Sequence, residues 1–204
     1  LWNVSNVTDV SYMFDDADNF NQDIGLWNVS NVTDMTDMLY DADNFNQDIG
    51  DWNVSSVVDM SGMFKSADDF NQDIGNWNVI NVTDMSDMFS HTNSFNYDIS
   101  SWDVSNVQNM TDFLLNENIV FSTENYDALL LEWSHLNLQS SVEFGAQSTF
   151  YCNSSLERQY IIDTFGWEIN DNGLNCETVD VVELEIPNQN KVCIKTIDLL
   201  GRTS

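Results

Sequence analysis

The sequence predicts an α/β solenoid in which each 25-residue repeat holds one short parallel strand and one short helix or 3-10 segment, followed by an α+β C-terminal cap. Three observations predict it. Tryptophan recurs at Trp2, Trp27, Trp52, Trp77 and Trp102, a constant step of 25 residues. Within each step the apolar residues change from a period of two to a period near that of a helix. After Asn116 the register is lost and a different segment begins, as expected where a repeat array needs a terminal unit over its last open core surface.

The second copy, Leu26–Gly50, serves as the type. Trp27 and Val29 alternate around Asn28, which suits a short strand with one buried face. From Val32 the apolar positions continue at Met35, Met38, Leu39 and Ala42, one stripe along about two helical turns. Asn31 or Thr33 is placed to cap that helix, with Asp34 at the positive end of its dipole. The Asp43-to-Gly50 tail, with Phe45 and Ile49 as its apolar residues, returns the chain through Asx-type turns and glycine. One unit cannot bury its apolar face, so stacked copies must share a continuous core.

The expected segments are the repeats at 1–116, the cap at 117–177, and a linker with a further domain start at 178–204. In the cap, Ser122-Thr123-Glu124-Asn125 reads as the start of a helix through Trp133, with Leu129, Leu130 and Trp133 on its apolar face. Strands are expected at Val142–Phe144, Phe150–Cys152 and Trp167–Ile169, with a second helix over Ser154–Thr164. Pro187 marks a turn before an alternating strand, Val192–Ile197. The chain opens within a repeat, without Met, a basic region or an apolar leader, so its natural start and any targeting signal are expected upstream.

The combination Trp-Asn-Val-Ser-Asn-Val-Thr-Asp-Met, then Met-Phe, Ala and Phe-Asn-x-Asp-Ile-Gly resembles the 25-residue surface repeat of BspA-like leucine-rich repeat proteins, also classed as a domain of unknown function in surface lipoproteins. The likeness covers residues 1–115. It implies a right-handed, leucine-rich-repeat-like coil outside a bacterial cell, with adhesion or protein binding and no enzymatic activity. Local departures are Val10 in a Met column, Tyr12 and Gly62 in an Asp column, and Phe113-Leu114 at the end. Residues 117–177 are similar to the segment that ends the arrays of secreted Bacteroidetes members. Lys191–Arg202 is similar to the opening of a type IX secretion C-terminal sorting domain, which implies secretion machinery as a partner and an extracellular or cell-surface location. In a secreted module, Cys152 and Cys176 on either side of the second helix are most simply a disulfide, worth about 3 kcal/mol in the chain-entropy model; the alternative is two unpaired thiols.

Charge narrows the function. Thirty-four Asp plus Glu against 5 Lys plus Arg leave a net charge of -29, which excludes phosphate backbones and anionic membrane surfaces as partners. The longest apolar run, Ala128–Leu131, is far short of a membrane span. An enzyme needs a convergent set of reactive groups, yet the two histidines, His91 and His135, lie in different segments and carboxylates recur in every copy. A carbohydrate-active enzyme would have to place its acid and base in the cap, near Glu132, Glu143 or Glu157.

Two residue sets remain. Residues 1–112 carry 20 Asp, no Glu and one Lys. Columns Asp9, Asp34, Asp59, Asp84 and Asp23, Asp48, Asp73, Asp98, the latter with Asn21, Asn46, Asn71 and Asn96, have the oxygen chemistry calcium prefers. The other reading is that they cap helices and bind turn amides. No other cofactor is indicated. On the strand reading, Asn3, Asn28, Asn53, Asn78 and Asp103 form an outward ladder flanked by Ser30 and Ser55, a concave face for a host or neighbouring-cell surface protein or glycan. A passive stalk or spacer, with or without calcium, is the alternative.

Overall fold

The computed structural model describes residues 2–118 and 120–176. Residues as far as Leu174 form one compact unit, so the repeat segment and the cap pack together. The linker, the Pro187 turn, the Val192–Ile197 strand and the sorting-domain likeness lie outside the described residues, apart from the segment's approach to Cys176.

The 25-residue columns stack in register. The core columns of the second copy from Val29 to Ile49 are at most 1% exposed, and the same columns of the third copy are equally buried, while Val58, in the Thr33 column, is exposed. Aromatic rings run along the stack as two ladders. Trp52, Trp77 and Trp102 lie 6.4 Å apart and nearly parallel, while Phe20, Phe45, Phe70, Phe95 and Phe121 follow at 5.8 to 6.2 Å. Each inner indole also donates Nε1–H to an isoleucine carbonyl, Trp52 to Ile24, Trp77 to Ile49 and Trp102 to Ile74. The buried polar edge of the ring is therefore satisfied.

The backbone path inside a repeat differs from the expected strand and helix. At Trp27–Val29 the chain bends on both sides, with Trp27 N–H donating to Ile24 and Val32 N–H donating to Val29. Parallel pairing between copies occurs instead as single bridges at Asp9, Asp34, Asp59, Asp84 and Asn109. Beyond that point no helix forms, because alternate amides leave the coil. Met35, Asp37, Leu39 and Asp41 donate to Asp59, Ser61, Met63 and Lys65 of the next copy, whereas Met38, Tyr40 and Ala42 close turns onto Met35, Asp37 and Leu39. This alternation needs left-handed residues, found at Asp37 and Asp41 and in the matching columns Tyr12, Gly62, Asp87 and Asp16, Ser66, His91. Asp, His and Gly are tolerated there better than most residues, which explains how Gly62 and His91 stand in Asp columns. Neighbouring carbonyls have overridden a helical apolar spacing. The expected helix caps are redirected too: Thr33 Oγ1 and Asn31 Nδ2 donate to carbonyls of the preceding copy, Thr8 and Ser5.

The cap follows the expected order more closely. Helix α1 spans Thr123–Trp133 with Ser122 as its N-cap, strand β1 spans Glu143–Ala146, α2 spans Ser155–Phe165 and β2 spans Glu168–Asp171. The strand expected at Phe150–Cys152 is reduced to one bridge, Tyr151 to Leu174. β1 and β2 pair in parallel with Phe144 opposite Ile169. β1 also joins the last repeat, through the Met110–Phe144 bridge and the Leu114-to-Gly145 hydrogen bond. Phe144 is fully buried against Phe113, Trp133 and Trp167, so the repeat core continues into the cap.

Candidate functional surface

The Asn3, Asn28, Asn53, Asn78 and Asp103 column is exposed in every copy, with Ser30 and Ser55 half-buried beside it. Its residues lie between two backbone turns, in a stretch that makes no strand pairing. Each side-chain Oδ1 accepts the amide hydrogen two residues on, from Ser5, Ser30, Ser55, Ile80 and Ser105 at 3.0 to 3.3 Å. The carbonyl of each side chain is thus engaged internally. The Asn amide nitrogens make no hydrogen bond among the described residues, leaving a row of outward donors.

The aspartate columns perform the same local task. Asp9, Asp34, Asp59 and Asp84 accept from the amides of Ser11, Thr36, Ser61 and Ser86. Asp23, Asp48, Asp73 and Asp98 accept from Gly25, Gly50, Gly75 and Ser100. Among the described residues no three His, Cys, Asp or Glu side chains converge as a metal group. The Asn column is a ladder: Asn21, Asn46 and Asn71 each accept the backbone amide of the next Asn, and Asn96 accepts from Ser122 at the start of the cap.

Electrostatics separate these acids. The two hydrogen bonds from Ser11, side chain then backbone, hold Asp9 below the usual carboxylate range. Desolvation raises Asp37, Asp41 and Asp43, and neighbouring carboxylates raise them further: Asp43, Asp16, Asp18 and Asp68 act on Asp41, and Asp68, Asp18 and Asp69 on Asp43. The acidic edge is repulsive, and its repulsion comes from stacking like charges one copy apart.

The cap holds two clusters that the linear reading missed. Asp171 receives Arg158 Nε at 2.8 Å, Arg158 Nη2 at 3.1 Å and the Tyr126 hydroxyl at 2.9 Å. Burial, then the Asp171 charge, pushes the Tyr126 phenol well above its ordinary value. Asp127 of α1 accepts from the backbone amides of Cys152, Asn153 and Ser154 and from the Ser154 hydroxyl, so it anchors the segment that leads into α2 to another helix. These partners lie 13 to 45 residues apart and leave no local pattern. The left-handed columns did leave one, since Gly62 in an Asp column signals positive φ.

His91 sits in such a left-handed column, and His135 lines a shallow open depression with Ser134, Leu136, Leu156, Glu157 and Tyr160. Glu132 and Glu143 are not part of that depression. Cys152 and Cys176 are disulfide-bonded. No described helix is long and apolar enough to cross a membrane.

Neither the curated proteins nor the solved structures yield a match. A family model described as "Mycoplasma protein of unknown function, DUF285" matches residues 1–64 and, in a second, overlapping register, 24–133. The overlap is what stacked copies of one repeat produce when a model longer than one copy is laid on them. With the in-register columns carrying the match across most of the chain, the protein belongs to the DUF285 family.

Proposed function

We propose that this is a non-catalytic repeat protein of the bacterial cell surface whose repeats coil into a right-handed, leucine-rich-repeat-like solenoid and bind a partner protein or glycan. The observation that carries the binding reading is the row of Asn3, Asn28, Asn53, Asn78 and Asp103, exposed in every copy and repeated on a hydrogen-bonded stack. A row of Asn amide donors ending in the Asp103 acceptor engages an extended partner at little entropic cost, because its geometry exists before binding. Support for the solenoid comes from the amide ladder that passes from each copy to the next along the same columns. Family membership supports the surface location, and the tail at 178–204 is the proposed contact with secretion machinery.

A second reading is favoured by a different observation. The carboxylate and amide oxygens of the repeat columns are engaged within the array, which suits a passive spacer.

The test is a glycan array and a panel of extracellular matrix proteins probed with the 1–204 chain and with an Asn28→Trp, Asn53→Trp, Asn78→Trp variant. The binding reading expects a saturable ligand that the variant loses while its thermal midpoint is kept. A ligand that the variant still holds would rule out this face, and no ligand on either panel would leave the spacer as the better account.

A further inference from the structure

The same row carries a second property. Asn3-Val-Ser5, Asn28-Val-Ser30 and Asn53-Val-Ser55 are Asn-x-Ser tripeptides, the acceptor pattern for N-linked sugar in surface segments. Other tripeptides of this type occur, including Asn31-Val-Thr33, Asn81-Val-Thr83 and Asn109-Met-Thr111. Asn6-Val-Thr8 and Asn153-Ser-Ser155 also fit the pattern; Asn6 is exposed and its Nδ2 makes no hydrogen bond among the described residues, whereas Asn153 Nδ2 donates to Asp127 Oδ2 at 3.3 Å. The other three are tied to a neighbouring copy. Asn31 Nδ2 donates to the Ser5 carbonyl at 2.7 Å, Asn81 Nδ2 to the Ser55 carbonyl at 2.8 Å, and Asn109 Nδ2 to Asp84 Oδ2 at 2.9 Å. Their nitrogens are tied into the stack. Asn3, Asn28 and Asn53 are exposed, as Asn31 and Asn81 are; the difference lies in the nitrogen, since in this set only Oδ1 is engaged, by the amide hydrogens of Ser5, Ser30 and Ser55 and, at Asn53, also by the Ser55 hydroxyl.

We propose that Asn3, Asn28 and Asn53 are N-glycosylation acceptors, whereas Asn31, Asn81 and Asn109 are excluded by the hydrogen bonds of their amide nitrogens.

The chemistry favours that division. In the transfer, Nδ2 bonds to the anomeric carbon of a diphosphate-activated sugar as the anomeric carbon–oxygen bond breaks. The leaving diphosphate takes the bonding pair, and one Nδ2 proton passes to a base of the transferase. An amide nitrogen is a weak nucleophile because its lone pair is shared with the carbonyl. A donor on Oδ1 stabilises the negative charge that gathers there as Nδ2 gives up its proton, which is the situation in the turn at Asn28. A nitrogen that is donating to a neighbouring copy must first give up that bond. Asn78 has the same turn and exposure but is followed by Ile80, so it lacks only the hydroxyl residue. The inference goes beyond the binding reading: where both hold, a partner meets sugar at three of the row's five positions.

The experiment is glycopeptide mass spectrometry on the full protein recovered from its own cells, beside Ser30→Ala and Ile80→Ser variants expressed there. Ser30→Ala keeps the backbone amide that holds Asn28, so the fold is retained while the acceptor pattern is lost. The expected result is sugar on Asn3, Asn28 and Asn53 with Asn31, Asn81 and Asn109 bare, loss at Asn28 alone in Ser30→Ala, and gain at Asn78 in Ile80→Ser. A single sugar unit identifies a nucleotide-activated donor, and a preassembled chain identifies a lipid-linked one. Absence of glycopeptides in the native protein overturns the proposal, as does equal occupancy of Asn31 or Asn81.

Discussion

Replacing Asp127 should weaken the cap by about 3 kcal/mol, although the residue is one of 34 acids in a chain that carries too much negative charge. Its Oδ1 accepts from Cys152 N at 3.0 Å, Ser154 N at 3.1 Å and Ser154 Oγ at 2.6 Å, and its Oδ2 from Asn153 N at 2.9 Å. Ser154 is 2% exposed and makes no side-chain cap bond of its own to α2, so water replaces the carboxylate poorly at that point. Leaving the buried Ser154 amide and hydroxyl without an acceptor costs roughly 1 to 2 kcal/mol. Two further charge-assisted bonds add about 1 kcal/mol each once discounted for the exposed Asn153. Asp127→Ala is therefore expected to lower the unfolding free energy by about 3 kcal/mol, or the midpoint by roughly 6 to 12 °C. Asp127→Asn should be nearly as damaging, since its amide hydrogens would face the donors that Oδ2 now accepts. Urea titration of the oxidised protein measures the first quantity, and amide exchange at Cys152, Asn153 and Ser154 locates it. A loss below about 1 kcal/mol for Ala, or an Asn variant matching the parent, would refute the anchoring role.

Four further outcomes follow from the geometry. Phe45→Ala, fully buried between Phe20 and Phe70, should cost about 4 kcal/mol by urea titration, and Phe20→Ala less because Phe20 is only partly buried. Gly50→Ala should lower the thermal midpoint, because a Cβ there would stand 2.5 Å from the Asp73 carbonyl of the next copy. Asp41→Asn should raise the midpoint at pH 7, with the gain fading as pH falls through the raised folded value toward the ordinary 3.8; a raised acid binds more protons folded than unfolded, so its ionisation destabilises the fold above that window. EDTA should leave the midpoint unchanged in calorimetry, because the oxygens of the Asp48 column already hold turn amides; a fall that calcium restores would establish a metal.

Much of the repeat was legible before any coordinates. Trp27 to Ile49 are the buried residues because apolar side chains at fixed columns have only the neighbouring copies to pack on. The first cap helix was legible for a local reason, a Ser-led start and an apolar face at Leu129, Leu130 and Trp133 within one segment, whereas α2 buries only Ile161. The exposure of the Asn28 row followed from its place between two buried columns, although the segment beneath it runs between two turns without strand pairing.

The sequence by itself determined the period, the core columns and the polar turn chemistry, since each depends on residues within one copy or on their recurrence. Only the tertiary structure decided the path of the backbone between Val32 and Ala42. There an amide can close a turn at home or donate to a carbonyl one copy away, and the apolar spacing is the same in either case. Stacking supplies the distant carbonyl at every second residue, the left-handed columns at Asp37 and Asp41 follow, and the helix is lost. The Asp127 anchor and the Asp171 pair arise likewise from partners that meet only when α2 folds back on α1.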